Sequence, residues 1–138
     1  NVGHFRALAA LLKGKERARA RLWLTPPSRL DLKQLREEGL LAVYAKSGAR
    51  VEMPGCSLCM GNQARVAPGA TVLSTSTRNF PERLGDGAQV YLGSAELAAV
   101  SARLGRLPGL HEYEEACAAL MGREDEIYRL LDFSSEPA

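Results

Sequence analysis

The chain has 138 residues, of which 46% are hydrophobic and 25% are charged, as expected for one soluble globular domain with a packed core. Its net charge of +2 is too small to indicate nucleic-acid binding by itself. No apolar run approaches the roughly 20 residues of a membrane-spanning helix and no secretory signal is recognisable, so we expect a cytoplasmic protein with reduced thiols and no membrane partner.

The first predicted elements are a helix and a short strand. Apolar residues recur at helical spacing over 5–12, which predicts an amphipathic helix that begins after Gly3 and ends near Gly14 or runs into the basic stretch that follows. The apolar run 22–24 predicts a buried strand, because Pro26 and Pro27 directly follow it and cannot continue a strand.

A second helix and strand are predicted next. Ser28 is a good N-cap and Gly39 a good C-terminal glycine, so a helix is expected over 29–38. The segment 40–47 is ambiguous and is compatible with a further short helix. The run 49–53 predicts a strand that leads directly into a turn containing two cysteines.

The rest of the chain continues the alternation and ends in helices. Strands are predicted at 71–73 and 89–92, and Ser94 caps a helix that closes at Gly105. Residues 110–138 are expected to form a helical extension that frays at its end. Short strands alternating with helices predict a single α/β domain over 1–138, with a mainly parallel sheet flanked by helices in three layers.

A basic run stands between the first helix and the first strand. It contains Lys13, Lys15, Arg17, Arg19 and Arg21. No aromatic residues are interleaved with these charges, so a solvated connector is favoured over a phosphate-binding patch.

Cys56 and Cys59 form a C-x-x-C pair in a turn bounded by Gly and Pro. A structural zinc site needs four ligands, and His4, His111 and Cys117 do not stand at zinc-ligand spacing. A dithiol redox site needs only the pair, whereas an iron–sulfur cluster needs further thiolates. Cys117 lies on an apolar helical stripe and is expected in the core. These residues alone leave the redox pair and the cluster open.

Arg78 and Arg83 belong to a later polar loop, which also contains several Ser and Thr residues. Two guanidinium groups on one loop suit a substrate with several carboxylates, because each can form paired hydrogen bonds to a carboxylate. Surface salt bridges are the simpler alternative. If the chain is α/β, both this loop and the cysteine turn follow strands, which is where such sheets bind ligands.

Two segments together resemble the aconitase family, and in particular its bacterial B type. They are Pro54-Gly55-Cys56-Ser57-Leu58-Cys59-Met60-Gly61-Asn62-Gln63 and Ser74-Thr75-Ser76-Thr77-Arg78-Asn79-Phe80, the latter followed by Arg83. The resemblance extends over most of the first 108 residues. It implies that Cys56 and Cys59 are two of three thiolate ligands of a 4Fe-4S cluster, and that Arg78 and Arg83 bind substrate carboxylates. The third ligand is implied to belong to a Cys-x-Thr-Asn motif whose last residue matches Asn1.

The resemblance implies a hydro-lyase of the tricarboxylic acid cycle that interconverts citrate and isocitrate through cis-aconitate. In the family the catalytic base lies on other domains, and no catalytic residue is assigned within these residues. The chain is therefore expected to be a C-terminal domain fragment, inactive alone, whose partners are the remaining domains of the enzyme. The alternative is a non-catalytic metal- or RNA-binding module, since aconitases as a family also bind RNA.

Overall fold

A computed structural model describes residues 1–15 and 17–129, so the predicted fraying of the tail lies outside the described residues. The elements confirm the predicted α/β class. The helices are α1 (Val2–Leu12), α2 (Arg29–Glu37), α3 (Leu40–Ser47), α4 (Ala95–Leu104), α5 (Leu110–Cys117) and α6 (Glu124–Ile127), with a 3₁₀ turn at Ala118–Leu120. The strands are β1 (Trp23–Leu24), β2 (Arg50–Val51), β3 (Thr71–Ser74) and β4 (Gln89–Leu92). No described helix is both long and apolar enough to cross a membrane.

Helix α1 is the centre of the core. It begins at Val2 rather than after Gly3, because the side chain of Asn1 caps it by accepting a hydrogen bond from the backbone N–H of His4 at 3.3 Å. Its buried apolar face packs against α3 and α4. The buried Tyr44 of α3 donates its hydroxyl to the carbonyl of Phe5 at 2.7 Å. The segment 40–47, ambiguous in sequence, is therefore a helix fixed by tertiary contacts.

The two predicted serine caps are confirmed. Ser28 accepts from the backbone N–H of Asp31 at the start of α2, and Ser94 accepts from that of Leu97 at the start of α4. Gly105 ends α4 in the left-handed conformation that glycine adopts without strain. These helix starts could be predicted from the sequence because a capping side chain bonds to the backbone of its own helix.

The four strands form two parallel pairs, β1 with β2 and β3 with β4. Parallel pairing agrees with the prediction, and in the described residues the pairs are separate two-stranded sheets. Helices α1 and α4 pack on one another in the core. Residues that follow β1 and residues that follow β3 line the same cavity, described below.

A buried arginine of α1 forms an ion pair with the end of α2 and a hydrogen bond with the C-terminal segment. Arg6 is buried and donates two hydrogen bonds, at 2.8 and 2.6 Å, to the carboxylate of Glu38. Its remaining guanidinium nitrogen donates to the carbonyl of Arg129 at 2.8 Å. The hydrogen bonds from Arg6 hold the pKa of Glu38 below its ordinary value. This pair joins the first helix to the end of α2 and to the last described residues.

Candidate functional site

The cysteine turn and the arginine loop contact one another. Arg83 is 2% exposed, and its guanidinium donates to the carbonyl of Cys59 at 2.7 Å and to the hydroxyl of Ser74 at 3.0 Å. Cys59 lies eight residues beyond the end of β2 and Ser74 ends β3, so one buried side chain links the cysteine turn to the end of β3. The loops that the sequence singled out therefore form one site.

The two cysteines are bonded to one another in this structure. The Cα atoms of Cys56 and Cys59 lie 5.4 Å apart and their sulfurs form a disulfide. Cys56 is exposed and Cys59 is half-buried. The turn is anchored at its start, where the N–H of Gly55 donates to the carbonyl of Pro26 at 3.0 Å. A metal centre at this pair requires the disulfide to be reduced first, because thiolates are the ligands.

Arg83 keeps donors that no described residue uses. Its Nε atom is buried and has no hydrogen-bond partner among the described residues. A guanidinium has five N–H donors, and only two contacts are made here. Burial lowers the pKa of Arg83 below its ordinary value, yet an arginine stays protonated at neutral pH. An unpaired buried cation of this kind is costly unless an anion completes its surroundings.

Arg78 contacts the other side of the cysteine turn. Its side chain is exposed, and one guanidinium nitrogen lies 2.6 Å from the sulfur of Met60, the residue after Cys59. Its backbone N–H donates to the hydroxyl of Ser76 at 3.2 Å, which fixes the loop locally. Neither Arg78 nor Arg83 forms a salt bridge with a described residue. Surface salt bridges therefore do not account for this pair.

Gly61 allows the close approach of the two loops. Its φ is +74°, and a Cβ atom built there would lie 1.7 Å from the carbonyl oxygen of Arg83. A Cβ at that distance from a backbone atom cannot be accommodated without moving one of the two loops. Glycine is thus required at this position for conformation and for space.

A cavity of about 500 Å³ opens beside these loops. Its polar lining includes both cysteines, Arg83, Ser74 at the end of β3, and Ser76. Its apolar lining includes residues of β1, β3, α1 and α4. The described residues that line it include no Asp or Glu. The full set is Asn1, His4, Phe5, Leu8, Arg21, Leu22, Trp23, Leu24, Thr25, Pro27, Gly55, Cys56, Leu58, Cys59, Val72, Leu73, Ser74, Thr75, Ser76, Arg83, Leu84, Ala95 and Ala98.

Sequence reasoning did not assign Asn1, His4 or Ser74 to the site. Asn1 and His4 line the cavity because α1 begins there, and Ser74 supports Arg83. Their positions could have identified these three residues, because each stands at the start of a helix or the end of a strand, where parallel α/β folds bind ligands. Arg78, which the sequence did assign, is outside the cavity lining.

The other candidates lie elsewhere. Cys117, expected in the core, is half-buried on α5 and forms no disulfide. Within the described ranges, no group of three or more His, Cys, Asp and Glu side chains is arranged to hold a metal ion. The cysteine pair is therefore without a third protein donor among these residues.

The basic side chains of this run are exposed, and three of them lie near different parts of the fold. Arg17 lies against Gly48 and Arg19 against Gly105, whereas Arg21 lines the cavity. Backbone N–H groups of Ala18 and Arg19 bond to the ends of α3 and α4 respectively, so the run is an ordered connector between these helices.

Comparison with known proteins identifies close relatives. Residues 1–105 match the profile of the aconitase family (aconitate hydratase). The chain is 58% identical over 135 residues to aconitate hydratase B of Synechocystis and, likewise, of Escherichia coli, covering 97% of this chain and 16% of each relative. It is 39% identical over 108 residues to the 3-isopropylmalate dehydratase large subunit of Flavobacterium johnsoniae, covering 77% of this chain and 23% of that subunit. The chain thus spans about a sixth of the length of the aconitate hydratase B relatives.

Proposed function

Because the chain belongs to the aconitase family, we propose that it is the cluster-binding part of an aconitate hydratase, a hydro-lyase that interconverts citrate and isocitrate through cis-aconitate. The observation that carries the proposal is Arg83, a buried guanidinium that joins the cysteine turn to the end of β3. Residues 1–138 form one unit of the larger enzyme in this proposal, with 110–138 as its helical extension.

The cysteine turn fits part of the ligand set of a 4Fe-4S cluster. Cys56 and Cys59, once reduced, offer two soft thiolates that border the same cavity as Arg83. The lining described for that cavity holds no carboxylate that would oppose a further anion. In this proposal the third thiolate belongs to the Cys-x-Thr-Asn motif that the family resemblance implies, whose last residue matches Asn1. When bound, a cluster with an open iron supplies a Lewis acid.

Arg83 has two roles in this proposal. Two of its N–H groups hold the cysteine turn and β3 in place, as described above. Its buried Nε and its remaining donors are left for a substrate carboxylate, which would complete the surroundings of this cation. Arg78 adds a second, exposed cation at the rim of the site, suited to a further carboxylate of citrate or isocitrate. The base that moves the substrate proton belongs to the rest of the enzyme.

The alternative of an RNA-binding module receives less support. A basic patch needs its cations on one face to follow a phosphate backbone, whereas Arg17, Arg19 and Arg21 contact different parts of the fold. Replacing these three arginines with glutamine in the isolated chain should therefore leave any RNA retention unchanged. Salt-dependent retention that the replacement abolishes would instead support the RNA-binding module.

A chimeric enzyme tests the proposed activity. The chain replaces its 135 matched residues in the E. coli aconitate hydratase B, and turnover is measured with citrate and, separately, with 3-isopropylmalate. We expect turnover of citrate by the chimera and none by the isolated 138 residues. An iron-loaded, folded chimera that does not turn over citrate, whether or not it acts on 3-isopropylmalate, would contradict the proposal, and so would turnover of citrate by the isolated chain.

A further inference from the structure

Tyr128 connects the C-terminal segment to the start of α1. Gly3 is buried in the first turn of that helix, and a Cβ atom built on it would lie 3.0 Å from both the Cα and the Cδ1 atom of Tyr128. The same point lies 3.0 Å from the side-chain oxygen of Asn1, which caps the helix. The backbone of the first turn of α1 therefore packs directly against Tyr128.

Arg6, in the next turn of α1, holds Tyr128 in this position. Its Nη1 atom donates to the carbonyls on both sides of Tyr128, that of Ile127 at 3.4 Å and that of Arg129 at 2.8 Å. Ile127 is itself buried in the core. The backbone around Tyr128 is thus fixed to the same helix whose first turn its ring contacts.

The hydroxyl of Tyr128 extends this connection to α4. It donates to the Oε1 atom of Glu96, in the first turn of α4, at 2.6 Å. Burial opposes ionisation of Glu96, but the hydrogen bond from Tyr128 outweighs it and helps to hold the pKa of Glu96 below its ordinary value. Burial raises the pKa of Tyr128, so its hydroxyl remains a donor at neutral pH. Tyr128 therefore bridges the starts of α1 and α4.

The start of α1 is the part of this chain that leads to the third thiolate of the proposed cluster. Asn1 lines the same cavity as Cys56 and Cys59, and the family resemblance matches Asn1 to the last residue of the Cys-x-Thr-Asn motif. The first turn of a helix needs outside support, because its N–H groups lack partners within the helix. Residues that orient a metal ligand without contacting the metal change metal affinity by about tenfold to a hundredfold when they are replaced. A contact that fixes this turn therefore also fixes the approach of the third ligand.

We propose that Tyr128 is a positioning residue for the third thiolate ligand, acting through the first turn of α1 and anchored by Glu96. Tyr128 lies beyond residue 105, where the match to the aconitase-family profile ends, but the aconitate hydratase B relatives match 135 residues of this chain. The C-terminal segment thus supports the cluster through a contact that lies outside the family profile. This inference rests on the proposed function, because it requires the intact protein to hold the cluster.

Cluster loss from the chimera in E. coli aconitate hydratase B tests this role. The parent chimera, Tyr128→Phe and Tyr91→Phe are reconstituted, and the fall in visible absorbance is followed after an iron chelator is added. Tyr128→Phe removes only the hydroxyl that bonds to Glu96. Tyr91→Phe is the matched control, because this tyrosine is exposed and its hydroxyl bonds to no described residue. The electron paramagnetic resonance spectrum of the reduced cluster, which responds to the arrangement of its thiolates, is recorded for each protein.

We expect Tyr128→Phe to lose its cluster about three to ten times faster than the parent, with an altered resonance spectrum, and Tyr91→Phe to match the parent. In a Glu96→Ala background, Tyr128→Phe should change the rate of cluster loss by less than about twofold, because the hydroxyl has then lost its acceptor.

Three results would overturn the positioning role of Tyr128. They are cluster loss from Tyr128→Phe at the rate of the parent or of an equally accelerated Tyr91→Phe, faster loss with an unchanged resonance spectrum, and an undiminished effect in the Glu96→Ala background. The second result would show general destabilisation rather than a displaced ligand. A parent chimera that holds no cluster after reconstitution would instead refute the proposed function, and this inference with it.

Discussion

The contact between Gly61 and Arg83 gives a prediction with a matched control. In Gly61→Ala, the new methyl group meets the carbonyl oxygen of Arg83 at 1.7 Å, whereas ordinary van der Waals contact begins at 3.4 Å. One loop must therefore move by more than about 1 Å, which is enough to break the 2.7 Å hydrogen bond from Arg83 to Cys59. In Gly39→Ala the backbone has nearly the same φ, +72°, but nothing lies within 4 Å of the new methyl group.

The two substitutions share the cost of a non-glycine residue in the left-handed conformation, about 1–2 kcal/mol. Gly61→Ala adds the loss of a hydrogen bond from a charged donor, a further 1.5–3 kcal/mol or so, with the carbonyl of Cys59 left unpaired. We expect Gly61→Ala to lower the melting temperature of the chimera by more than Gly39→Ala, and to be the only one of the two that loses visible cluster absorbance. Equal melting temperatures and equal absorbance would refute the close packing of the two loops.

Three further predictions concern charged residues and the same chimera. Arg78→Ala should raise KM for citrate about tenfold to a hundredfold while cluster absorbance is kept, since the guanidinium of this exposed residue bonds to Met60 and to no described cysteine; bleaching would show that it supports the cluster. Arg83→Ala should lower both cluster absorbance and kcat/KM, because its side chain holds the cysteine turn; unchanged absorbance would limit its role to substrate. Glu38→Gln should destabilise the cluster-free protein by about 3 kcal/mol at pH 7, because it leaves Arg6 buried without its charge partner.

The pH dependence of the Glu38→Gln effect has a definite sign. The folded pKa of Glu38 is depressed, so its carboxylate contributes stability that is present above the unfolded pKa, about 4.3, and is lost as pH falls through the folded value. The difference in unfolding free energy between the parent and Glu38→Gln should therefore shrink as pH falls below about 5. If the difference in unfolding free energy stays constant from neutral to acidic pH, the ion pair between Arg6 and Glu38 is not its cause.

Local signals in the sequence were sufficient for most of the elements. The caps at Ser28 and Ser94 act within their own helices, so their effect could be predicted without knowing what the helices pack against. The segment 40–47 was ambiguous because its helix is held by Tyr44 against α1, a contact between residues distant in sequence. The start of α1 was misplaced because Gly3, a poor helix former, lies inside a helix that Asn1 already caps.

The sequence was sufficient to predict which residues form the site, but not most of the contacts between them. Cys56, Cys59, Arg78 and Arg83 were identified from motif spacing and resemblance, and the structure brings their two loops together. No pattern in the sequence indicated that Arg83 would be buried with an unpaired Nε, because that depends on how Gly61 lets the loops approach. Likewise, the arrangement of the strands in two separate pairs depends on contacts between distant elements, which periodicity along the chain does not indicate.

The central claim is that Cys56 and Cys59 provide two thiolates of an iron–sulfur cluster. It is tested most directly by visible absorbance and acid-labile sulfide in the chimera carrying Cys56→Ser, Cys59→Ser or Cys117→Ser, each after reduction and reconstitution with iron and sulfide. We predict that the first two variants lose the cluster and that Cys117→Ser keeps it, because Cys117 ends α5 and is not among the residues that line the cavity beside Cys56 and Cys59. A full cluster in Cys59→Ser, or its loss in Cys117→Ser with the fold intact, would contradict the account.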